Sequence, residues 1–281
     1  MRNSLILLII VISGFSEARA QDVHISLLGG ASNYMGDLQP KKFTLEQAHA
    51  AFGAGLNVEL SEHWMIRLQA LVAKVSGSDK GSLNADRNLS FSTPITEVML
   101  AAEYDLFSLY ERSLTPFAYA GIAGYKFDPS ALDATGKKVA LQPLGTEGQG
   151  FYLGRKKYSL TQMAIPIGGG LKMALNDDIR LRFELGLRVL MTDYLDDVSD
   201  TYADRAQLLA ANGAKAVEMA FRGYEVKPTL IYPPAGSKRG NPKIKDFYYY
   251  GGLGLSFRLG SGSGGGGGGK KSKLGCPVNV Y

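Results

Sequence analysis

Arg180, Arg182, Glu184 and Arg188 alternate with Ile179, Leu181, Phe183, Leu185, Leu187, Val189 and Met191 along one run. Charges at period two share one face of a β-strand. Opposite charges gathered on one face do ion-pairing chemistry, not nucleophilic attack. Glu59, Arg67, Glu97, Glu103, Lys172 and Arg258 recur at matching positions of other alternating runs. Together these residues form a candidate charge network in which each cation can find an acid.

Three other groups could do chemistry. Asp193, Asp196, Asp197 and Asp200 place four carboxylates within eight residues, a composition suited to calcium. The spacing lacks the glycine and terminal glutamate of the helix-loop-helix calcium motif, so a solvated, turn-forming loop is the plainer reading and no metal or cofactor is expected. The three histidines are His24, His49 and His63. Only His49 falls near the end of a strand where a loop aspartate could reach it, and no nucleophile is positioned by any motif. A non-enzymatic protein is expected. Cys276 is the one cysteine, which excludes an internal disulfide framework and leaves an intermolecular disulfide or a free thiol.

The elements that must hold these residues are strands. Eight alternating runs are legible, at residues 22–30, 48–60, 63–75, 93–106, 116–127, 162–175, 179–192 and 246–259. Several exceed the roughly 9 to 11 tilted residues that cross a hydrocarbon core. Connections at 61–62, 107–115 and 176–178 are short, whereas those at 31–47, 76–92, 128–161 and 193–245 are long and rich in Gly, Pro, Asp, Ser and Asn. This layout predicts an all-β fold, an eight-stranded antiparallel transmembrane β-barrel with long extracellular loops and periplasmic termini. A soluble lipocalin-type barrel shares the alternation. Gly53, Gly55, Gly168, Gly170, Gly252 and Gly254 fall on the polar side, where they make room for charged side chains inside a narrow lumen, so the polar side is read as inward. Eight strands then leave a plugged interior and no conducting pore. The loop stretch 201–220, rich in Ala, Leu and Asp, reads as a helix or covering element at the mouth.

Residues 1–20 read as a secretory leader: Arg2, an apolar run from Leu5 to Ile12, and Ala18-Arg19-Ala20 as the cleavage signal. Without Arg2, Arg19 and Glu17 the 31 basic and 26 acidic residues become 29 and 25, an excess too small and dispersed to imply nucleic acid. The barrel is assigned to 21–260 and a glycine-rich linker with a basic tail to 261–281. Lys270, Lys271, Lys273 and Cys276 lie in that tail, which reads either as a tethered arm for a periplasmic partner or as a disordered end.

Three segments carry a resemblance: residues 29–38 (Gly-Gly-Ala-Ser-Asn-Tyr-Met-Gly-Asp-Leu), 192–199 (Thr-Asp-Tyr-Leu-Asp-Asp-Val-Ser) and 239–242 (Arg-Gly-Asn-Pro). In order and spacing the chain from 21 to 259 resembles the PorG-like outer-membrane barrels of the type IX protein secretion system. The resemblance implies a non-enzymatic barrel, integral to the outer membrane, that holds a periplasmic ring of a lipoprotein and its associated subunits. The alternative is a stand-alone small barrel whose outer loops bind surfaces or ligands.

Overall fold

The computed structural model describes residues 22–39, 44–243 and 245–259. The leader at 1–20 and the tail at 261–281, with Lys270, Lys271, Lys273 and Cys276, lie outside the described residues.

Eight strands close into a ring in which every neighbour is antiparallel: β1 (Val23–Met35), β2 (His49–Glu59), β3 (Trp64–Ser78), β4 (Ser90–Asp105), β5 (Leu114–Phe127), β8 (Thr161–Ala174), β9 (Ile179–Leu190) and β10 (Phe247–Leu259). The seam is β1 against β10, in continuous register from Val23↔Leu259 to Met35↔Phe247. Full closure leaves no edge strand, the condition for a sheet that meets hydrocarbon. The barrel is therefore the predicted eight-stranded antiparallel one. Strand β1 runs five residues beyond its expected end at Gly30. Gly30 is an inward position packed so close to Gly251 that a Cβ would overlap the Gly251 carbonyl, so the chain passes on through it as strand. The 128–161 connection, expected as loop throughout, also contains a small hairpin, β6 (Ser130–Leu132) with β7 (Lys138–Ala140), hung on β4 through Ser92↔Ser130.

Outward side chains are mostly apolar, with Lys74 and Lys126 as exceptions, while the inward ones combine the charged residues with apolar Leu28, Leu71, Ile95, Met99 and Phe127. On β9, Arg180, Arg182, Glu184 and Arg188 are buried while Phe183 and Leu185 are exposed on the wall. Pro166 stands in the middle of a barrel strand where a donor is missing, and the β5–β8 ladder skips there, from Ala120↔Ile167 to Ala123↔Ala164. The outer wall is a band of Leu, Ile, Val and Ala. At the short-turn end it finishes in Trp64 and Tyr104, their rings 5.0 Å apart. Aromatic residues at that level match a membrane-interface girdle.

Inward glycines are required where charged neighbours cross the lumen. A Cβ on Gly186 would overlap both the Tyr119 hydroxyl and the Arg188 guanidinium. Gly186→Val is expected to displace that pair and destabilise the barrel by about 1–3 kcal/mol, the usual cost of overpacking. Urea unfolding of the refolded protein in vesicles would show it, and an unchanged midpoint would mean that the lumen has spare space.

Above the long-loop end sits a cap. Its main element is the helix α1 (Arg205–Ala220), begun by an Asp204 side chain that accepts from the Gln207 amide at 2.9 Å and broken at Gly213, whose φ of 80° departs from helical values. The helix lies within the stretch expected to cover the mouth.

Candidate functional site

The chemistry-bearing residues form two tiers, a charged lumen and a polar lock between lumen and cap.

In the lumen, Glu103 is the hub. Its Oε2 accepts from Arg67 Nη1 at 2.9 Å and its Oε1 from Arg182 Nη2 at 3.1 Å, with Lys172 Nζ also bonded to Oε1. Lys172 bonds both oxygens of Asp105 at 2.7 Å, and Arg67 reaches Glu184 at 2.8 Å and Gln69 at 2.6 Å. Higher up, Arg188 forks onto Glu97, with Nη2 3.1 Å from Oε1, and Glu97 also accepts from the Tyr248 hydroxyl. Lower down, Glu59 receives Arg180 and stands 3.2 Å from His24. Arg258 is placed apart from the rest. It lies at the short-turn rim, 3.8 Å from Asp22 and 3.9 Å from Asp178, and is partly exposed. Sequence reasoning passed over Asp105, although it shares the parity of Glu97 and Glu103 on β4. It also passed over the hydroxyls of Tyr119 and Tyr248, since tyrosine in such a strand reads as wall.

A void of about 460 Å³ lies at the wall between β8, β9, β10 and β1, bounded by outward Ile167, Leu185, Leu187 and Tyr249 and by their inward neighbours Gly168, Gly186 and Tyr250. The charged lumen side chains Arg67, Glu97, Glu103, Lys172, Arg182, Glu184 and Arg188 are almost fully buried, and apolar Leu71, Ile95, Met99 and Phe127 share the interior with them.

In the lock, the four aspartates of the 193–200 stretch separate. Asp193 accepts from Ser199 Oγ at 2.8 Å. Asp196 accepts from the Tyr34 hydroxyl at 2.6 Å and from the Val198 amide at 2.8 Å. Asp197 accepts from Thr146 Oγ1 at 2.6 Å and from the Tyr158 hydroxyl at 2.7 Å. Asp200 lies at the surface, 3.0 Å from Arg155. They do not share a centre, and among the described residues no three His, Cys, Asp or Glu side chains are grouped to hold a metal ion. The expected solvated loop is corrected, since Asp193, Asp196 and Asp197 are buried and each carboxylate is spent on a different hydroxyl, amide or cation.

Arg239 is the pin of the lock. Buried in the cap, it donates through Nη1 to Glu147 Oε1 at 2.9 Å and to the Asp197 carbonyl at 2.5 Å, and through Nε to the Ala220 carbonyl at 3.2 Å. Glu147 in turn accepts the amides of Ser199 and Asp200 at 3.0 and 3.1 Å. Arg87 makes a bidentate pair with Asp79 at 2.6 and 2.8 Å and donates to the Asp37 carbonyl at 3.1 Å. The Asp37 side chain accepts from the Asn241 amide at 2.7 Å. Segments 29–38, 192–199 and 239–242, far apart in sequence, thus meet at one place. Their glycines are close-approach residues: a Cβ on Gly240 would stand 2.5 Å from Ser199 backbone, and one on Gly36 would overlap Tyr34 and Asp246.

Burial sets the acid–base state of these groups. It pushes the Asp193 carboxyl up to about 7 and, against the pull of Arg239, the Asp197 carboxyl up to about 6. Asp196 and Asp246 rise well above the carboxylate range, because burial disfavours the charge and neighbouring acids add to it, Asp37 at Asp196 and both Asp196 and Asp193 at Asp246. Geometry agrees. The Tyr34 hydroxyl contacts Asp196 at 2.6 Å and Asp246 at 3.0 Å but has one proton, so one of the two carboxyls must supply the other. An ordinary carboxyl titrates near 3.9 in the unfolded chain. The raised folded values mean that the lock is fully stable below about pH 4 and loses stability as pH rises through 6 and 7. The cap is expected to resist protease better at pH 5 than at pH 8. In Asp246→Asn the amide keeps the Leu195 amide bond and donates to Tyr34, so protection at pH 8 should rise and the pH slope flatten. A steeper slope in the variant would refute the shared proton.

His49, the candidate base, is met by Ser76 and not by a loop aspartate: its Nε2 stands 2.8 Å from Ser76 Oγ. No carboxylate hydrogen-bonds to this imidazole among the described residues.

Over residues 2–144 the sequence matches the family described as Domain of unknown function (DUF6089). The chain belongs to the DUF6089 family. The matched part of this DUF6089 chain contributes Tyr34, Asp37, Asp79 and Arg87 to the lock, while Glu147, Asp196, Asp197 and Arg239 come from beyond it. No curated protein matches the sequence. Similar solved structures include the Neisserial surface protein NspA (7% identity, 84% of this chain and 97% of that chain, TM-score 0.44). Another is Ail of Yersinia pestis (10% identity, 85% and 99%, TM-score 0.40). A third is the N-terminal barrel domain of Pseudomonas aeruginosa OprF (10% identity, 85% and 98%, TM-score 0.38).

Proposed function

We propose that this protein is a non-conducting, non-enzymatic anchor in the outer membrane that holds a periplasmic ring complex of the type IX secretion kind, with the short-turn end in the periplasm. The observation that carries the reading is the filled, ion-paired lumen: a barrel so closed serves as a fixture, not a conduit. Val23 and Leu259 pair at the short-turn end, so both chain ends leave the barrel on the side where a periplasmic partner would be. That side also exposes Glu62, Glu111 and Asp177, an acidic surface for a basic partner. The tail residues Lys270, Lys271, Lys273 and Cys276 are the proposed reaching contacts, with Cys276 as the proposed intermolecular disulfide.

The test is purification of the tagged, full-length protein from native membranes in mild detergent, with and without reductant. Stoichiometric periplasmic lipoprotein and ring subunits are expected, together with lost secretion when residues 260–281 are deleted and the barrel remains inserted. Recovery of the barrel alone with intact secretion would favour a stand-alone barrel that binds through its loops. That second reading draws on Leu83, Leu153 and Ile231, apolar side chains exposed at the long-loop end.

A further inference from the structure

Every charge on the eight barrel strands, among the described residues, stands at an inward position except two. Lys74 on β3 and Lys126 on β5 are both outward and exposed. They are at one level. Lys74 pairs in register with Pro94 of β4, Lys126 with Thr96, and Pro94 and Thr96 face outward between them. Neither ammonium is within ion-pair distance of a carboxylate among the described residues, whereas Arg67, Lys172, Arg180, Arg182 and Arg188 of the same barrel are all paired.

Their height follows from the strand. Trp64, in the girdle at the short-turn end, and Lys74 lie on the same face of β3, ten residues apart. At roughly 3.3 Å per residue and a tilt near 40°, that is about 25 Å along the membrane normal, the height of the apolar band of a membrane barrel. The two lysines therefore sit at the headgroup level of the far leaflet, with Val72 and Val98 directly beneath them in the band. Below Lys126 the wall is open. Gly124 is outward, a Cβ there would meet nothing within 4 Å, and its register partners Val98 and Met163 flank the gap.

We infer that Lys74 and Lys126, with the Thr96 hydroxyl between them, bind the phosphate of a phosphorylated glycolipid of the outer leaflet, and that the notch at Gly124 seats the start of an acyl chain. The chemistry is that of fixed cations at an anionic membrane surface. The inference rests on the proposed orientation, long-loop end outward, which is what makes the leaflet the glycolipid one.

The experiment is native mass spectrometry of the full-length protein extracted from its own outer membrane. It compares wild type, Lys74→Gln/Lys126→Gln, Lys74→Arg/Lys126→Arg and Gly124→Leu, with glycolipid counted per barrel. Removal of each lysine is expected to weaken retention on the order of fivefold, the arginine variant to retain it, and Gly124→Leu to retain less. Equal retention in wild type and the double glutamine variant would overturn the inference. Orientation is read separately, by protease added to intact cells and cleavage at the exposed Leu153 loop. Cleavage with unchanged glycolipid would remove the lysine site alone. No cleavage, with lysine-dependent phospholipid adducts in place of glycolipid, would overturn both the glycolipid and the orientation.

Discussion

Glu103→Gln is expected to be among the most damaging single substitutions in the barrel, costing about 3–5 kcal/mol. The change conserves volume, so the cost is electrostatic. Arg67, Arg182 and Lys172 all bond this one carboxylate, and each is buried to within a few per cent of complete. Lys172 keeps Asp105 and Arg67 keeps Glu184, but Arg182 is left with Glu184 at 3.6 Å and an amide in place of its acid. An unpaired buried cation costs far more than a surface pair ever contributes. The measurement is the urea midpoint of the protein refolded into vesicles, alongside the heat-dependent gel shift that reports a closed barrel. A change below about 0.5 kcal/mol would mean that the lumen is wet enough to screen its charges. Glu103→Gln combined with Arg182→Met should recover part of the loss, because the stranded charge goes with its partner.

The same residues show how far the amino-acid sequence could be read. Alternation gave strand number, parity and the inward face, because a period of two is a local property and each strand carries it independently. It even gave the network's membership, since inward parity in a narrow barrel forces Glu97, Glu103, Arg182 and Arg188 into a common space. Which acid meets which cation was not legible: Arg67 and Glu184 are 117 residues apart and meet only because the ring closes with a particular stagger. The lock was harder still. Asp196 and Asp197 are adjacent in sequence and read as one acidic cluster. Asp197 has a φ of 66°, and in this left-handed turn the two side chains part, one toward Tyr34 and the other toward Tyr158. The helix was legible from composition, but its broken geometry at Gly213 was not.

Arg239→Met is expected to release the cap while leaving the barrel intact. Arg239 reaches Glu147 from one long loop, the Asp197 carbonyl from another part of its own, and the Ala220 carbonyl at the end of α1, so one side chain closes three segments. Methionine keeps much of the volume but leaves Glu147 buried with two backbone amides as its remaining donors and Asp197 with two hydroxyls. Loss of one partner from such a buried pair costs about 3–5 kcal/mol. None of this energy lies in the strand ladders, so the penalty should fall on local opening and not on global unfolding. Hydrogen exchange of the refolded protein should show lost protection at 193–200 and at the end of α1, with β1 to β5 unchanged, and protease should cut the 223–238 segment faster. Because burial raises the Asp197 carboxyl to about 6, the variant should also be more open at pH 8 than at pH 5, where protonated Asp197 no longer needs the missing cation. Equal protection of 193–200 in variant and wild type would mean that apolar packing of Leu195, Val198, Leu208 and Ala216 holds the cap without its pin.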